Sequence, residues 1–155
     1  MKIDSLVLHH IELPLIVPFE TSFGREMMRP CILVELRSDG LIGWGECVAG
    51  SGPWYSYETI GTAWHILSEV LAPLVLGQQI GGPDDLIERF GRVRGHAMAR
   101  AAVEAACWDL LAQERGAPLA ALLGGTRERV AVGVSVGIEP SVPALLERVE
   151  CYLAE

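Results

Sequence analysis

The hydrophobic period of the sequence changes near residue 56, and this change most constrains what the chain can fold into. Before it, apolar side chains alternate along residues 2–13, 32–36 and 41–48, which is typical of half-buried β-strands. The tripeptide SDG at 38–40 joins the last two runs and favours a tight hairpin, because Asp and Gly tolerate positive φ angles. The first third of the chain therefore predicts a three-stranded antiparallel meander.

Two loops are predicted beside these strands. Pro14 and Pro18 are expected to end the first strand, since proline cannot donate a hydrogen bond to a β-ladder. The segment FETSFGREMMRP at 19–30 is then a polar loop that holds two phenylalanines. A second loop, AGSGPWYS, follows the third strand at 49–56.

The middle of the chain has the apolar spacing of helices. Ser56 is predicted to cap the first helix, and Pro83 to begin the second, with two aspartates in its first turn, where the helix dipole favours them. The third helix, Ala97 to Arg115, is rich in alanine, and Arg100 and Glu104 have the spacing of an i,i+4 ion pair. Its predicted buried face consists of Met98, Ala101, Ala102, Ala105, Trp108 and Ala112.

The C-terminal segment has the pattern of a strand followed by a helix. Residues 130–138 place valines and one isoleucine on one face and small residues, among them Ser135, on the other. Both faces are uncharged, which is typical of a parallel strand that is covered on both sides. Ser141 is a predicted cap for the helix that follows. This is the first unit of a β/α barrel or of another parallel sheet. Since a barrel needs about 250 residues, none closes within 155 residues.

Composition excludes several classes of partner. The formal net charge of −8 disfavours nucleic acid. The longest stretch without a charged residue, Val70 to Pro83, is too short to span a membrane. The N-terminus has no signal-peptide pattern, so a cytoplasmic protein is expected. The four cysteines form no C-x-x-C pair and are expected to be reduced, mostly buried thiols.

Four segments together resemble the enolase superfamily. They are FETSFG at 19–24, DGLIGWGECVAGSGPWYSYET at 39–59, RGHAMARAAVEAACWDLLAQERGAPLAALLGG at 94–125 and VGVSVGI at 132–138. The resemblance is to its muconate-lactonising-enzyme-like branch, and within it to o-succinylbenzoate synthases that often double as N-succinylamino acid racemases. It implies an α+β capping domain at 1–128, with the meander followed by a helical bundle. The first strand and helix of a truncated TIM-like barrel then occupy 129–155.

The resemblance implies that the catalytic groups lie outside this chain. In the family, two barrel lysines are the acid/base pair and barrel carboxylates bind Mg²⁺. The reaction is proton abstraction next to a carboxylate, followed by dehydration (in menaquinone biosynthesis) or by racemisation. The Mg²⁺ ligands are expected beyond residue 155, and the only lysine here is Lys2. No catalytic or metal-binding residue is therefore expected in this chain. The parent is expected to be a homo-oligomeric lyase or isomerase, and this chain alone to be inactive.

The resemblance does assign substrate-binding residues. Phe19 and Phe23 are expected to wall the succinyl or acyl side of the pocket. Tyr55 and Gly50 are expected to face the ligand from the second loop, and many relatives have a larger side chain, often methionine, where Gly50 stands. Ser135 matches a substrate-facing position on the first barrel strand. The expected partners are thus a small-molecule carboxylate and the missing barrel.

Other interpretations stay open. The parent could instead be a dipeptide epimerase or a muconate cycloisomerase, and the chain could be a stand-alone α+β binding module. Phe19 and Phe23 also suit a loop that is anchored on the core. Tyr55 suits a hydrophobic contact before the next helix, and Ser135 suits a small packing residue.

Overall fold

A computed structural model of the chain describes residues 1–22 and 24–154. Its contacts divide the chain into two units, one of Met1–Leu13 with Pro30–Gly125 and one of Pro14–Arg29 with Thr126–Glu155. The elements are, in chain order, β1 Ser5–Thr21, β2 Gly24–Ser38, β3 Leu41–Cys47, α1 Ile60–His65, a π-helical stretch Ile66–Leu71, α2 Ala72–Val75, α3 Pro83–Arg89, a 3₁₀ turn Phe90–Arg92, α4 Ala97–Glu114, α5 Leu119–Leu122 and α6 Val142–Ala154.

The three strands form one sheet in the order β1-β2-β3. β2 and β3 are antiparallel, and their ladder closes with Ser38 opposite Leu41. Asp39 and Gly40 in the turn have φ angles of 51° and 82°, the left-handed conformation that a two-residue hairpin turn favours at both central positions. The predicted meander and its SDG turn are confirmed.

The predicted end of the first strand and the predicted loop at 19–30 are wrong. β1 continues to Thr21 and β2 begins at Gly24, so most of the segment is strand. The prolines are tolerated because β1 is an edge strand. Pro14 and Pro18 are four residues apart, so both place their missing N–H on the same side of the strand, which is compatible with pairing along the other side only.

The core of the first unit lies between the sheet and α4. Gly43 and Gly45 in β3 face this helix, and a Cβ at either position would overlap a backbone carbonyl oxygen, that of Ala106 or Ala102. Glycine on the strand and alanine on the helix together allow this close approach. Large buried side chains surround the contact, among them Ile32, Val34, Leu36, Leu67, Leu71, Val103 and Leu110.

α4 begins where it was predicted, but its buried face differs. Ala101 and Ala105 are exposed. Alanine offers little hydrophobic contrast, so contact with the glycines of β3 decides which face is inside. Among the described residues no ion pair joins Arg100 and Glu104, so that expected pair is not formed. The buried residues of α4 are Ala99, Ala102, Val103, Ala106, Cys107, Leu110, Leu111 and Ala112.

The first helix begins later than predicted. Thr59, and not Ser56, is its N-cap, and Thr59 and Thr62 form a capping box in which each side chain bonds to the backbone of the other. The hydroxyl of Ser56 instead accepts a hydrogen bond from the N–H of Glu58 at 3.2 Å. Ser56 thus belongs to the turn before the helix.

In the second unit, a segment with the pattern of a strand precedes α6. Residues 126–139 join no ladder in the described part of the chain, and strands form only where a neighbour supplies hydrogen-bond partners. The helix follows as predicted, and the hydroxyl of Ser141 accepts a hydrogen bond from the N–H of Ala144 at 3.3 Å. Four apolar side chains of the segment are between 59% and 86% exposed, namely Val130, Val132, Val134 and Ile138.

Candidate functional site

Phe19 lies near the end of β1 and is 60% exposed. Beyond it, the hydroxyl of Thr21 donates a hydrogen bond to the carbonyl oxygen of Gly24 at 3.1 Å. Phe19 is thus carried by a strand and not by a flexible loop, which limits the directions in which its ring can point. Phe23, the second predicted wall of the pocket, lies outside the described residues.

A cavity of about 680 Å³ lies within the second unit, a size that suits a small organic ligand. Phe19 and Ser135, two of the five predicted substrate-binding residues, both line it. The aromatic ring offers an apolar wall, and the Ser135 hydroxyl can donate and accept hydrogen bonds. The other lining residues are Leu15, Val17, Pro18, Glu20, Glu26, Arg29, Val136, Gly137, Ile138, Glu139, Arg148 and Tyr152.

The charged groups of this cavity partly compensate one another. Arg148 Nε donates a hydrogen bond to a carboxylate oxygen of Glu139 at 3.4 Å, and Arg29 lies 4.0 Å from the carboxylate of Glu26. The lining contains two guanidinium groups and three carboxylates. The lining of the cavity has both apolar and charged side chains. It therefore suits a ligand that has an apolar body and a polar end.

The second loop carries Gly50 and Tyr55 in the first unit. Gly50 forms a parallel bridge with Thr59, and its carbonyl oxygen accepts a hydrogen bond from the N–H of Ile60 at 2.8 Å. The two ends of the loop therefore meet. Tyr55 at its tip is 87% exposed. Among the described residues, a Cβ at Gly50 would contact only the carbonyl oxygen of Gly52, at 3.7 Å, so this position has room for a larger side chain.

The end of the second loop is fastened to the start of α4. Glu58 is 2% exposed, and its two carboxylate oxygens accept hydrogen bonds from the N–H groups of Met98 and Ala99 at 2.9 and 3.1 Å. The hydroxyl of Tyr57 accepts a hydrogen bond from the N–H of His96 at 3.1 Å. Sequence reasoning missed both residues, because their partners are about 40 positions away and no local pattern marks them.

A second buried carboxylate belongs to the sheet. Glu35 lies 2.9 Å from His9 Nε2 and accepts a hydrogen bond from Arg37 Nε at 2.5 Å. These hydrogen bonds, from His9 first and then Arg37, hold the pKa of the Glu35 carboxyl below its ordinary value. The centroid of the Trp44 ring lies 5.6 Å from the centroid of the His9 ring. Because both oxygens of Glu35 are engaged, this carboxylate orders the side chains of the sheet surface.

Two of the buried cysteines, Cys47 and Cys107, are not disposed to act as nucleophiles. Cys31, Cys47 and Cys107 are all buried. Burial raises the pKa of the Cys47 thiol, and it raises that of Cys107 to about 12. A thiol that stays protonated is a poor nucleophile and a poor metal ligand. Cys151 in α6 is exposed.

The described residues contain no cluster of three or more His, Cys, Asp or Glu side chains that could hold a metal ion. Asp109 accepts a hydrogen bond from the backbone N–H of Trp44 at 2.9 Å and so has a structural partner. In residues 1–22 and 24–154, no helix is both long and apolar enough to cross a membrane.

A comparison with known protein families identifies the family of this chain. Residues 3–124 match the N-terminal domain of the mandelate racemase / muconate lactonizing enzyme family. The chain belongs to this family. The resemblance to the enolase superfamily that the sequence predicted is therefore confirmed, and so is the α+β capping-domain fold.

The curated relatives of this chain indicate one branch of the family. It is 46% identical to an o-succinylbenzoate synthase of Geobacillus stearothermophilus over all of this chain and 42% of that protein. It is 44% identical to an N-succinylamino acid racemase of Thermus thermophilus, again over all of this chain and 42% of that protein. The chain thus spans about 42% of the length of these curated relatives.

Solved structures of the superfamily have the same fold over the whole chain. A member of the enolase superfamily from Listeria innocua matches with a TM-score of 0.94 and 38% identity. The match covers 99% of this chain and 42% of that protein. The fold therefore corresponds to the N-terminal capping domain of the superfamily, and the chain spans less than half of that protein.

Proposed function

We propose that this chain is the substrate-recognition part of an enzyme that acts as an o-succinylbenzoate synthase or N-succinylamino acid racemase. One observation carries the proposal: Phe19 and Ser135, far apart in sequence, line one cavity of about 680 Å³. The proposal is also supported by identities of 46% and 44% to curated relatives that bear these two names. The proposed division is a capping domain at 1–128 and the first barrel strand and helix at 129–155.

The residues of this chain would bind and orient the substrate. Phe19, and with it Phe23, would pack against the acyl part and exclude water from it. Ser135 would offer its hydroxyl to a polar end of the substrate, and Tyr55 and Gly50 would shape the space near the second loop. Binding groups of this kind raise the rate by holding the reacting carbon in place.

The chemical step is assigned to groups outside this chain. The parent reaction is Mg²⁺-assisted proton abstraction from the carbon next to a carboxylate, followed by dehydration or racemisation. The described residues do not fit Mg²⁺, because they bring together no cluster of metal-ligating side chains, so no step of this chain involves the metal. The only lysine, Lys2, forms a bridge with Gln79 by its backbone. The parent is proposed to be a cytoplasmic homo-oligomer.

Two proteins test this proposal: the 155-residue chain and the complete gene product that contains it. Each is assayed with Mg²⁺ for dehydration to an o-succinylbenzoate and for racemisation of N-succinylamino acids. We expect turnover by the complete gene product and none above background by the 155-residue chain. Turnover by the short chain that is proportional to protein and survives repurification would contradict the assignment of catalysis to other residues.

The same assays separate the alternatives. A complete gene product that turns over only dipeptides or muconates would replace the proposed substrates by those of the related branch. A gene product that ends at residue 155 and turns over nothing would favour the stand-alone binding module. The relatives of 46% and 44% identity favour the succinyl substrates over both.

A further inference from the structure

The second loop is a closed structure whose base has two separate fastenings. The first joins its own ends, since Gly50 bonds to Ile60 and bridges Thr59. The second joins the end of the loop to α4 through Tyr57 and Glu58. Between these fastenings the loop carries exposed aromatic rings at its tip.

Glu58 replaces a cap that the helix itself does not provide. His96 occupies the N-cap position of α4 and makes no side-chain capping hydrogen bond. The first N–H groups of a helix have no partner within the helix. Glu58 supplies acceptors to Met98 and Ala99, one oxygen to each, from a position 40 residues earlier in the chain. A carboxylate at this end of the helix is also favoured by the helix dipole.

The partner of Glu58 is a firmly held element. α4 packs on β3 so closely that Gly43 and Gly45 admit no Cβ. Asp109 and Gln113 of the same helix hydrogen-bond to the backbone of β3 at 2.9 and 2.6 Å. A hydrogen bond from the loop to this helix therefore fixes the loop relative to the core of the first unit.

Tyr57 adds to the same fastening. Its hydroxyl accepts the N–H of His96, and its ring lies edge-on to the imidazole with a centroid distance of 6.1 Å. His96 has a φ of 51° and Gly95 a φ of 68°. A Cβ at Gly95 would lie 2.9 Å from the Tyr57 hydroxyl. The turn before α4 is thus shaped to receive the end of the loop.

We propose that Glu58 is a positioning residue, which acts through the second loop to set how Gly50 and Tyr55 meet the substrate. This inference rests on the proposed function. Glu58 touches no substrate itself. Two N–H donors require two acceptors, so glutamine at position 58 satisfies one donor and turns its own NH₂ group towards the other. The variant then lacks one of the two hydrogen bonds that Glu58 accepts from α4, while residues 49–56 are unchanged.

The test uses the complete gene product with Glu58→Gln, and with Glu114→Gln as a control at an exposed position of α4. Steady-state kinetics are measured for dehydration and for racemisation, well below the unfolding temperature of each variant. For Glu58→Gln we expect KM to rise about tenfold and kcat to fall less, with the ratio of the two activities changed, because displaced binding groups weaken orientation of the substrate. Glu114→Gln is expected to leave all of these unchanged.

Hydrogen exchange supplies a second readout that a loss of folded protein does not imitate. In Glu58→Gln, the amides of Met98, Ala99 and Ile60 should exchange faster, while those between β2 and β3 should keep their protection. If Glu58→Gln does not fold, the test uses Tyr57→Phe instead. The side chain of Tyr57 is 63% exposed. This substitution removes one bond of the same fastening, and we expect a rise in KM of about threefold.

The outcomes are distinct. A folded Glu58→Gln, or a Tyr57→Phe in its place, with wild-type KM and wild-type ratio of activities would overturn the inference alone. A loss of kcat in both reactions in proportion to the unfolded fraction would also overturn it, since that is the result of a purely structural role. A wild-type gene product that turns over neither substrate would overturn the proposed function, and the inference with it.

Discussion

The carboxylate of Asp109 accepts a hydrogen bond from the backbone N–H of Trp44 at 2.9 Å, and this bond gives the edge of β3 a partner in α4. One turn later on the helix, Gln113 Nε2 donates to the carbonyl oxygen of Ile42 at 2.6 Å. Two side chains of α4 thus hydrogen-bond to the edge of β3 at which a fourth strand could otherwise pair. Open edges invite pairing with other chains, and covering them is a general solution.

Replacing Asp109 by alanine should therefore cost stability and expose the edge. We expect the free energy of unfolding to fall by about 1 kcal/mol, the usual net value of one such hydrogen bond. Asp109→Asn keeps an acceptor oxygen and should recover most of it. Urea unfolding followed by circular dichroism measures both, with Glu114→Ala as the control on the exposed side of the helix. Equal stabilities for all three variants would show that the bond contributes nothing.

Gly45→Ala should destabilise the first unit far more. The added Cβ would overlap the carbonyl oxygen of Ala102 and lie 2.8 Å from the backbone nitrogen of Ala106, so β3 and α4 must move apart. Overpacking of this kind costs about 3 kcal/mol or more when backbone atoms are the obstacle. The matched control is Gly91→Ala, where no atom of residues 1–22 and 24–154 lies within 4 Å of the added Cβ beyond its chain neighbours. Thermal unfolding compares the two, and equal melting temperatures would contradict the close approach described for β3.

These glycines also explain which parts of the fold the sequence predicts. Alternation along β2 and β3 and the turn at Asp39 follow from local patterns, and they are confirmed. The buried face of α4 does not follow from its alanines, because Ala101 and Ala102 differ little in hydrophobicity. What decides between them is a strand more than 50 positions away in sequence, where Gly45 admits Ala102.

The candidate site shows the same limit. The resemblance to the enolase superfamily predicts Phe19, Phe23, Gly50, Tyr55 and Ser135 as substrate-binding residues, and Phe19 and Ser135 line one cavity. Glu58 escapes prediction, because a single glutamate in a polar segment is typical of a solvated side chain. Only the position of α4 reveals that it is buried and that it accepts two backbone hydrogen bonds.

Gly50→Met in the complete gene product should change substrate preference without loss of stability. Position 50 can hold a larger side chain because, in the part of the chain that the structure describes, the only atom near an added Cβ is the carbonyl oxygen of Gly52 at 3.7 Å. We expect kcat/KM for dehydration and for racemisation to change by different factors, with their ratio altered about tenfold, since added methylene groups in a pocket discriminate on this scale. The melting temperature should hardly move. Equal losses for both substrates that follow a lower melting temperature would assign a structural role to Gly50.

The hydrogen bonds that Glu35 makes with His9 and Arg37 predict that the stability of the fold depends on pH. His9 and Arg37 lower the pKa of Glu35 in the folded protein from the ordinary 4.5. As the pH falls below that value, the unfolded chain takes up a proton first, so the contribution of this carboxylate is lost as the pH falls through the lowered pKa. At neutral pH it is fully present. Urea unfolding of the wild type and Glu35→Gln should therefore differ at neutral pH and converge at acid pH. A constant difference over this range would contradict the assigned direction.

The last prediction concerns the solution behaviour of the 155-residue chain. Val132 is 86% exposed and Leu153 on α6 is 81% exposed, and between them lie further apolar side chains that the described chain does not cover. Burial of one such side chain is worth roughly 1.5–3 kcal/mol, so several together favour association with another apolar surface. We expect this chain to self-associate, and a shorter chain without residues 129–155 to be more monomeric and more soluble. Static light scattering over a range of concentrations compares the two. Residues 1–125 should keep their hydrogen-exchange protection in both, which separates loss of the apolar segment from loss of the fold. A 155-residue chain that is monomeric, with slow exchange along 130–138, would mean that this segment has found a partner within its own chain.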